Sequence, residues 1–166
     1  YLNWQQLAEM SEHGGLMANH TRSHLHLLRL QEEESHDQWR QRITEEITGA
    51  QRELESHLGK LPRLFAYPYG EYNQEIIPLV AELGYTAFGQ QSGAMGTNSN
   101  FLTLPRFPMT GAYSAINTFK TKSNTLAMPI HPINIESLIE PGNFRPILEL
   151  KFREGTWRTS ELTCYG

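Results

Sequence analysis

The stretch LFAYPYGEYN, residues 64–73, carries the pattern that decides the fold. Its first four residues are apolar or aromatic and predict a short buried strand. Pro68-Tyr69-Gly70 then predicts a turn, and Asn73 can cap a helix whose apolar residues follow at helical spacing. A strand, a turn and a helix in this order form the repeating unit of α/β folds.

The same alternation extends to both sides of this stretch. Upstream, apolar residues three and four apart predict an amphipathic helix from about Asp37 to His57, closed by Gly59. Before it, residues 15–19 predict a short buried strand, and downstream residues 85–88 predict another. The sequence therefore predicts an α/β architecture with parallel strands.

Three shorter elements complete the expected pattern. They are a helix capped by Asn3, a strand over residues 102–106, and a helix over residues 114–120 with Ile116 and Phe119 facing inward.

The character of the sequence changes after Pro129, where prolines become frequent and residues 147–152 alternate between apolar and polar. Such alternation predicts a half-exposed antiparallel strand. We place a domain boundary near residues 126–133, with an α/β domain over 1–128 and a linker with the start of a β-rich module over 129–166. The first residue is Tyr1 rather than Met, so we expect the chain to be part of a longer protein.

Composition excludes several functional classes. At 166 residues and 39% apolar content the chain can bury one sizeable core. A net charge of -4 without a basic run argues against nucleic acid as a partner. No apolar stretch is long enough to cross a bilayer. The single cysteine, Cys164, excludes an internal disulfide.

A histidine cluster, NHTRSHLH at residues 19–26, follows the first predicted strand. Loops at the carboxyl ends of parallel strands form the active-site face of α/β folds. His20 and His24 are four residues apart and can converge on one divalent ion, with Thr21 and Ser23 placed to orient them. The alternative is a polar loop that caps the next helix, and we expect His26 to be structural or exposed.

The turn at Pro68-Tyr69-Gly70 is the second candidate for chemistry. Its residues could be chosen for the turn alone. In a functional interpretation, the backbone N–H near Tyr69 stabilises an oxyanion. Tyr67, Pro68 and Tyr72 would then offer a substrate-binding face, since aromatic rings pack on sugar rings while their hydroxyls form hydrogen bonds.

These two stretches, about 45 residues apart with a helix between them, resemble the polysaccharide deacetylase family, the NodB-homology esterases that act on N-acetylated sugars. Residues 20–24, HTRSH, resemble the family's metal motif His-Ser/Thr-x-x-His. Residues 65–70, FAYPYG, resemble its Arg-x-Pro-Tyr/Phe-Gly motif, and Leu83-Gly84-Tyr85 resembles the helix-to-strand joint that follows. The resemblance covers residues 1–106.

The resemblance implies a distorted (β/α) barrel that lacks its first strand in this chain. His20 and His24 would be two of three protein ligands to a divalent metal, with Zn²⁺ expected. The metal would polarise the acetamide carbonyl and activate water, and the N–H of Tyr69 would stabilise the oxyanion. The products would be acetate and a free sugar amine.

Three departures from the family pattern qualify these expectations. The family's Asp-Asp pair, which supplies the base and the third ligand, has no counterpart; we expect it in the remainder of the same protein, and we expect this fragment to be inactive alone. Ala66 stands where the family has an arginine, and Arg106 is our candidate to orient the base, unless it pairs with a surface acid. The family's late histidine has no clear match; His131 is the candidate, or else a linker residue.

Two further functions stay open at this point. One is a carbohydrate-binding or structural module on a degenerate deacetylase fold, and the other is a small-molecule amide hydrolase. Ala66 next to Tyr67 resembles the subgroup that acts on exported biofilm poly-N-acetylglucosamine rather than on chitin. Family substrates imply a secreted, periplasmic or cell-surface location, in the cell wall or biofilm, with an N-acetylated polysaccharide as partner.

Overall fold

The computed structural model of the chain describes residues 2–131 and 150–155. The chain divides into two compact units, Tyr1–Leu126 and Ala127–Gly166. The domain extents of 1–128 and 129–166 stay a prediction, because most of the second range lies outside the described residues.

The first unit alternates helices with short strands. Two single 3-10 turns, at Pro68–Gly70 and Gly111–Tyr113, lie between the larger elements. In chain order those elements are α1 (Trp4–Glu12), α2 (His36–Leu58), β1 (Leu64–Ala66), α3 (Ile76–Glu82), β2 (Thr86–Phe88) and α4 (Ile116–Ser123).

Local signals explain where the first two helices begin and end. Asn3 and Ser35 each accept a hydrogen bond from the backbone at the third helical position, and the glutamine there returns one, so both helices start with a capping box. Gly59 ends α2 at a φ of 75°, which glycine adopts without strain. The long predicted helix is confirmed, with its cap at Ser35.

The two strands lie parallel and side by side. Leu64 pairs with Thr86 and Ala66 with Phe88. A single bridge joins Asn19 to Phe65 on one side, and another joins Phe88 to Leu104 on the other, both parallel. The predicted α/β class with parallel strands is confirmed. Closure into a distorted barrel stays a prediction, since the named strands of the described residues are two.

Two predicted strands are much shorter than expected. In the described structure, residues 15–19 contribute only the bridge at Asn19, and Leu16 is 71% exposed. Residues 102–106 contribute only the bridge at Leu104. A strand is defined by backbone partners, and these segments meet β1 and β2 at one residue each, so the apolar pattern overestimated their length.

The last helix of the unit also differs from expectation. Helix α4 forms as predicted, but Ile116 is 65% exposed and Phe119 is 51% exposed. The prediction that both face inward is wrong, because α4 contributes no buried residue.

The core lies between α2, the sheet and α3. Helix α2 faces it with Trp39, Ile43 and Ile47, all at most 2% exposed. Further buried members are Leu27, Phe65, Tyr67, Ile76, Leu79, Val80, Tyr85 and Ala87. This packing places Asn19 and the carboxyl ends of β1 and β2 at one edge of the unit.

In the second unit, Ile130 and Phe152 form an antiparallel bridge. The N–H of His131 donates to the carbonyl of Lys151 at 2.8 Å, and that of Arg153 to Pro129 at 2.8 Å. The predicted strand over 147–152 lies largely outside the described residues. Within residues 2–131 and 150–155, no helix is long and apolar enough to span a membrane.

Candidate metal and substrate site

The buried side chain of Asn19 anchors the histidine loop, residues 20–24, to the neighbouring helix α2. Asn19 is 1% exposed, and its Nδ2 donates to the carbonyl of Ile47 in α2 at 2.7 Å. Its Oδ1 accepts from the N–H of Thr21 at 3.0 Å. The backbone of Asn19 meanwhile pairs with β1, since its N–H donates to Leu64 and its carbonyl accepts from Ala66. The residue before His20 is therefore fixed to both the sheet and α2.

A carboxylate from α2 holds the other end of the loop. Oε2 of Glu46 accepts from the N–H of Arg22 at 3.1 Å, the N–H of Ser23 at 3.0 Å and the hydroxyl of Ser23 at 3.1 Å. Hydrogen bonds to an ionised acceptor are stronger than neutral ones. Glu46 thus orders the residues between the two histidines.

The ring of His20 is oriented by the end of β1. Its Nδ1 donates to the carbonyl of Ala66 at 2.7 Å, which leaves the Nε2 lone pair available to a ligand. Partial burial lowers the pKa of His20 below its ordinary value, and the charges of His24 and Arg106 act in the same direction. His20 therefore stays neutral, the state that binds metal, to lower pH than an exposed histidine.

His24 lies beside His20 on a tight left-handed loop. The two ring centroids are 4.7 Å apart at an interplanar angle of 72°. Thr21 and His24 both have positive φ, 63° and 54°, and the N–H of His24 donates to Oγ1 of Thr21 at 3.1 Å. The loop brings the two predicted ligands together.

The tyrosine turn, Pro68–Gly70, contacts the histidine loop at the carboxyl edge of the sheet. The ring of Tyr69 contacts His24 at a centroid distance of 4.5 Å. Tyr69 has φ 56° and ψ 4°, and among the hydrogen bonds between described residues its N–H donates to none. Because Pro68 has no N–H, that of Tyr69 is the first free donor beyond β1. Its position agrees with the predicted oxyanion donor, which stays a prediction.

The predicted sugar-stacking face needs correction. Tyr67 and Pro68 are both fully buried, and the hydroxyl of Tyr67 donates to the carbonyl of Leu102 at 2.9 Å. Burial raises the pKa of Tyr67 well above its ordinary value. Tyr72 is half-buried and packs on the Tyr67 ring. The ring that is accessible at the site is Tyr69, 48% exposed.

The positive charge of Arg106 makes a small contribution to the lowered pKa of His20. Its N–H donates to the carbonyl of Gln91 at 3.0 Å, and none of the ion pairs within the described ranges involves its guanidinium. The alternative, in which Arg106 pairs with a surface acid, is therefore not found among the described residues. His131 belongs to the second unit and is exposed.

The donor set suits two ligand positions of a divalent metal. His20 presents a neutral ring with its second nitrogen oriented by a carbonyl, the arrangement typical of metal-ligating histidines. The described part of the chain contains no group of three histidine, cysteine, aspartate or glutamate side chains placed to hold an ion. A cleft of about 270 Å³ adjoins His20 and Thr21, between Trp4 and Ala50.

Two residues that support the loop, Asn19 and Glu46, escaped the sequence interpretation. His26, expected to be structural or exposed, stacks on Tyr69 and bonds to Glu71, partners that the sequence did not indicate. The acidic partners lie more than 20 residues away in the sequence, and no local pattern marks them.

Comparison with known proteins identifies the class. The profile of the polysaccharide deacetylase family matches residues 2–88, more than half of the chain. The chain therefore belongs to the polysaccharide deacetylase family. A comparison with curated protein sequences gives no significant match.

Solved structures with the same fold include three deacetylases. The BpsB deacetylase domain of Bordetella bronchiseptica is 20% identical, with a TM-score of 0.56 over 64% of this chain and 48% of that chain. A de-N-acetylase of Aggregatibacter actinomycetemcomitans is 20% identical, with a TM-score of 0.58 over 74% and 53%. The deacetylase PplD of Streptococcus pyogenes is 26% identical, with a TM-score of 0.53 over 63% and 43%. The chain spans about half the length of these structures.

Proposed function

We propose that this protein hydrolyses N-acetyl groups of an N-acetylglucosamine-containing polysaccharide in a metal-dependent reaction that releases acetate. One observation carries the proposal: the histidine loop and the tyrosine turn meet, with the rings of His24 and Tyr69 4.5 Å apart. This contact supports the proposal, because the loop that carries the two candidate ligands touches the turn that carries the proposed oxyanion donor.

His20 and His24 would hold the ion, with Zn²⁺ the expected metal. The chemistry that such an ion supplies when bound is polarisation of a carbonyl and acidification of water. We also propose that an aspartate from sequence outside this chain completes the ligand set, together with the general base. This part of the proposal predicts that the fragment alone is inactive.

The residues of this chain then have separate roles. The N–H of Tyr69 stabilises negative charge on the acetamide oxygen as water adds to the acyl carbon. Arg106 orients the base through charge-assisted hydrogen bonds. When the C–N bond breaks, the amine takes up a proton and acetate leaves.

The comparisons support the substrate class. The relatives from three bacteria are deacetylases, one of them a de-N-acetylase and another, PplD, solved in complex with acetate. The ring of Tyr69 is 48% exposed beside the histidines, and the part that the stacked His26 ring does not cover is available to a sugar. We propose poly-N-acetylglucosamine as the polymer and a secreted, periplasmic or cell-surface location, where such polymers occur.

A second function has one observation in its favour. Since the described residues contain no group of three potential metal ligands, the protein could bind N-acetylated polysaccharide without hydrolysing it. This alternative predicts oligosaccharide binding without acetate release under any divalent metal.

Acetate release from N-acetylglucosamine oligomers by the full-length protein tests the proposal. We expect turnover that a chelator abolishes, that added Zn²⁺ restores, and that His24→Ala eliminates. His13→Ala is the matched control, because His13 is exposed and its ring hydrogen-bonds to the carbonyl of Glu9 in α1. Oligomer binding without acetate release would establish the second function instead.

A further inference from the structure

His26 contacts the tyrosine turn at two points. Its ring stacks on that of Tyr69 with centroids 4.0 Å apart and an interplanar angle of 9°. Its Nδ1 donates to Oε1 of Glu71 at 2.7 Å. Tyr69 and Glu71 flank Gly70, so one histidine holds both sides of the turn.

The turn itself has a conformation that its sequence does not favour. The N–H of Glu71 donates to the carbonyl of Pro68 at 3.0 Å, and φ is 56° at Tyr69 and 70° at Gly70. Two positive φ angles at the centre of a turn are typical of glycine and asparagine. Gly70 satisfies this demand, but a tyrosine in the left-handed region is strained and persists only when its surroundings hold it.

The segment that carries His26 is well anchored. The adjacent Leu27 is fully buried, and its carbonyl accepts from Nε1 of Trp39 at 2.9 Å. The partner carboxylate is partly enclosed, since Oε2 of Glu71 is buried and forms no hydrogen bond with any described residue. The hydrogen bond from His26 to Oε1 is therefore the contact by which the described residues hold this carboxylate in place.

We propose that His26 and Glu71 form a clamp that holds Tyr69 in its left-handed conformation and thereby aims the N–H of Tyr69 at the reacting carbonyl. His26 is a positioning residue in this account, because it acts through Tyr69. The inference rests on the proposed function for its kinetic consequence. Its structural consequence, an ordered turn, is independent of any reaction.

The clamp predicts a specific pattern in variants of the full-length protein. His26→Ala removes both contacts and frees the turn, so kcat for acetate release should fall about 10- to 100-fold while KM stays within about twofold. The amides of Gly70 and Glu71, which donate within the turn, should exchange their hydrogen about tenfold faster. Metal content per chain should stay that of the wild type.

Two conservative variants keep the ring stack and change only the hydrogen bond to Glu71. His26→Phe keeps a ring over Tyr69 and loses the hydrogen bond, whereas Glu71→Gln keeps an acceptor for His26 and leaves the stack intact. Each variant should retain part of the exchange protection at Gly70 and Glu71 that His26→Ala loses. His36→Ala is the matched control, since His36 also pairs with a glutamate, Glu75, and contacts an aromatic ring, Trp39, while its own side chain is exposed.

The kinetic and exchange readouts keep this inference distinguishable from the proposed function. If the wild type releases no acetate, the proposed function fails, and faster exchange at Gly70 and Glu71 in His26→Ala would still support the clamp. Unchanged exchange in a folded His26→Ala would overturn the clamp whatever the activity. Loss of bound metal in His26→Ala would overturn it too, because the histidine would then support the metal loop rather than the turn.

Discussion

Replacing Asn19 with alanine should destabilise the first unit and loosen the histidine loop together. The side chain makes two short hydrogen bonds, to the carbonyl of Ile47 at 2.7 Å and from the N–H of Thr21 at 3.0 Å. At about 1 kcal/mol each, their loss amounts to about 2 kcal/mol. Nδ2 of Asn19 also reaches the hydroxyl of Tyr85 at 3.3 Å, so the total loss should be about 2–3 kcal/mol.

Urea unfolding followed by tryptophan fluorescence measures this loss, because Trp39 is buried in the same core. With a denaturant slope of about 2 kcal/mol per M, the midpoint should fall by about 1 M. Asn117→Ala, at an exposed position in α4, is the control and should change stability by no more than about 0.5 kcal/mol. If Asn19→Ala also stays within about 0.5 kcal/mol, the buried amide does not hold the loop and the reasoning is refuted.

Three other changes test separate parts of the account. Tyr67→Phe leaves the carbonyl of Leu102 without its hydroxyl donor and should lower the unfolding free energy by about 1 kcal/mol; an unchanged denaturation midpoint would contradict this. Glu46→Ala removes three hydrogen bonds from the histidine loop, so metal affinity measured by competition with a chelator should weaken about tenfold. Equal affinity in the variant would show that the loop keeps its conformation without Glu46. The paired hydrogen bonds from Arg42 lower the pKa of Glu34 from 4.5 to about 2, so the ionised carboxylate stabilises the fold above pH 4.5 and this stabilisation is lost as pH falls toward 2. Glu34→Gln should therefore flatten the pH dependence of the thermal unfolding midpoint between these values. Parallel curves for the wild type and the variant would refute the assignment.

The sequence was sufficient for the elements whose signals are local. The capping residue Asn3, the spacing of apolar residues in α2 and the closing Gly59 all act within one or two helical turns, so α1 and α2 could be located in advance. The strand lengths at residues 15–19 and 102–106 could not be predicted in this way, because a strand requires a partner elsewhere in the chain.

The same distinction applies to the site. His20, His24 and Tyr69 stand in short motifs, whereas Glu46 and the contact of His26 with Glu71 depend on how distant segments pack. The burial of Tyr67 could have been foreseen. Alternate residues of a strand share a face, so Tyr67 lies on the side of Phe65, and the two rings are 5.2 Å apart.

In the proposed function, His20 and His24 form the metal centre of a deacetylase. The most direct test is the divalent metal content of the purified full-length protein, measured by elemental analysis for the wild type, His20→Ala, His24→Ala and the control His13→Ala. We predict about one ion per chain in the wild type and the control, and a loss of most of it in both site variants. A full complement of metal in His20→Ala and His24→Ala would contradict the account.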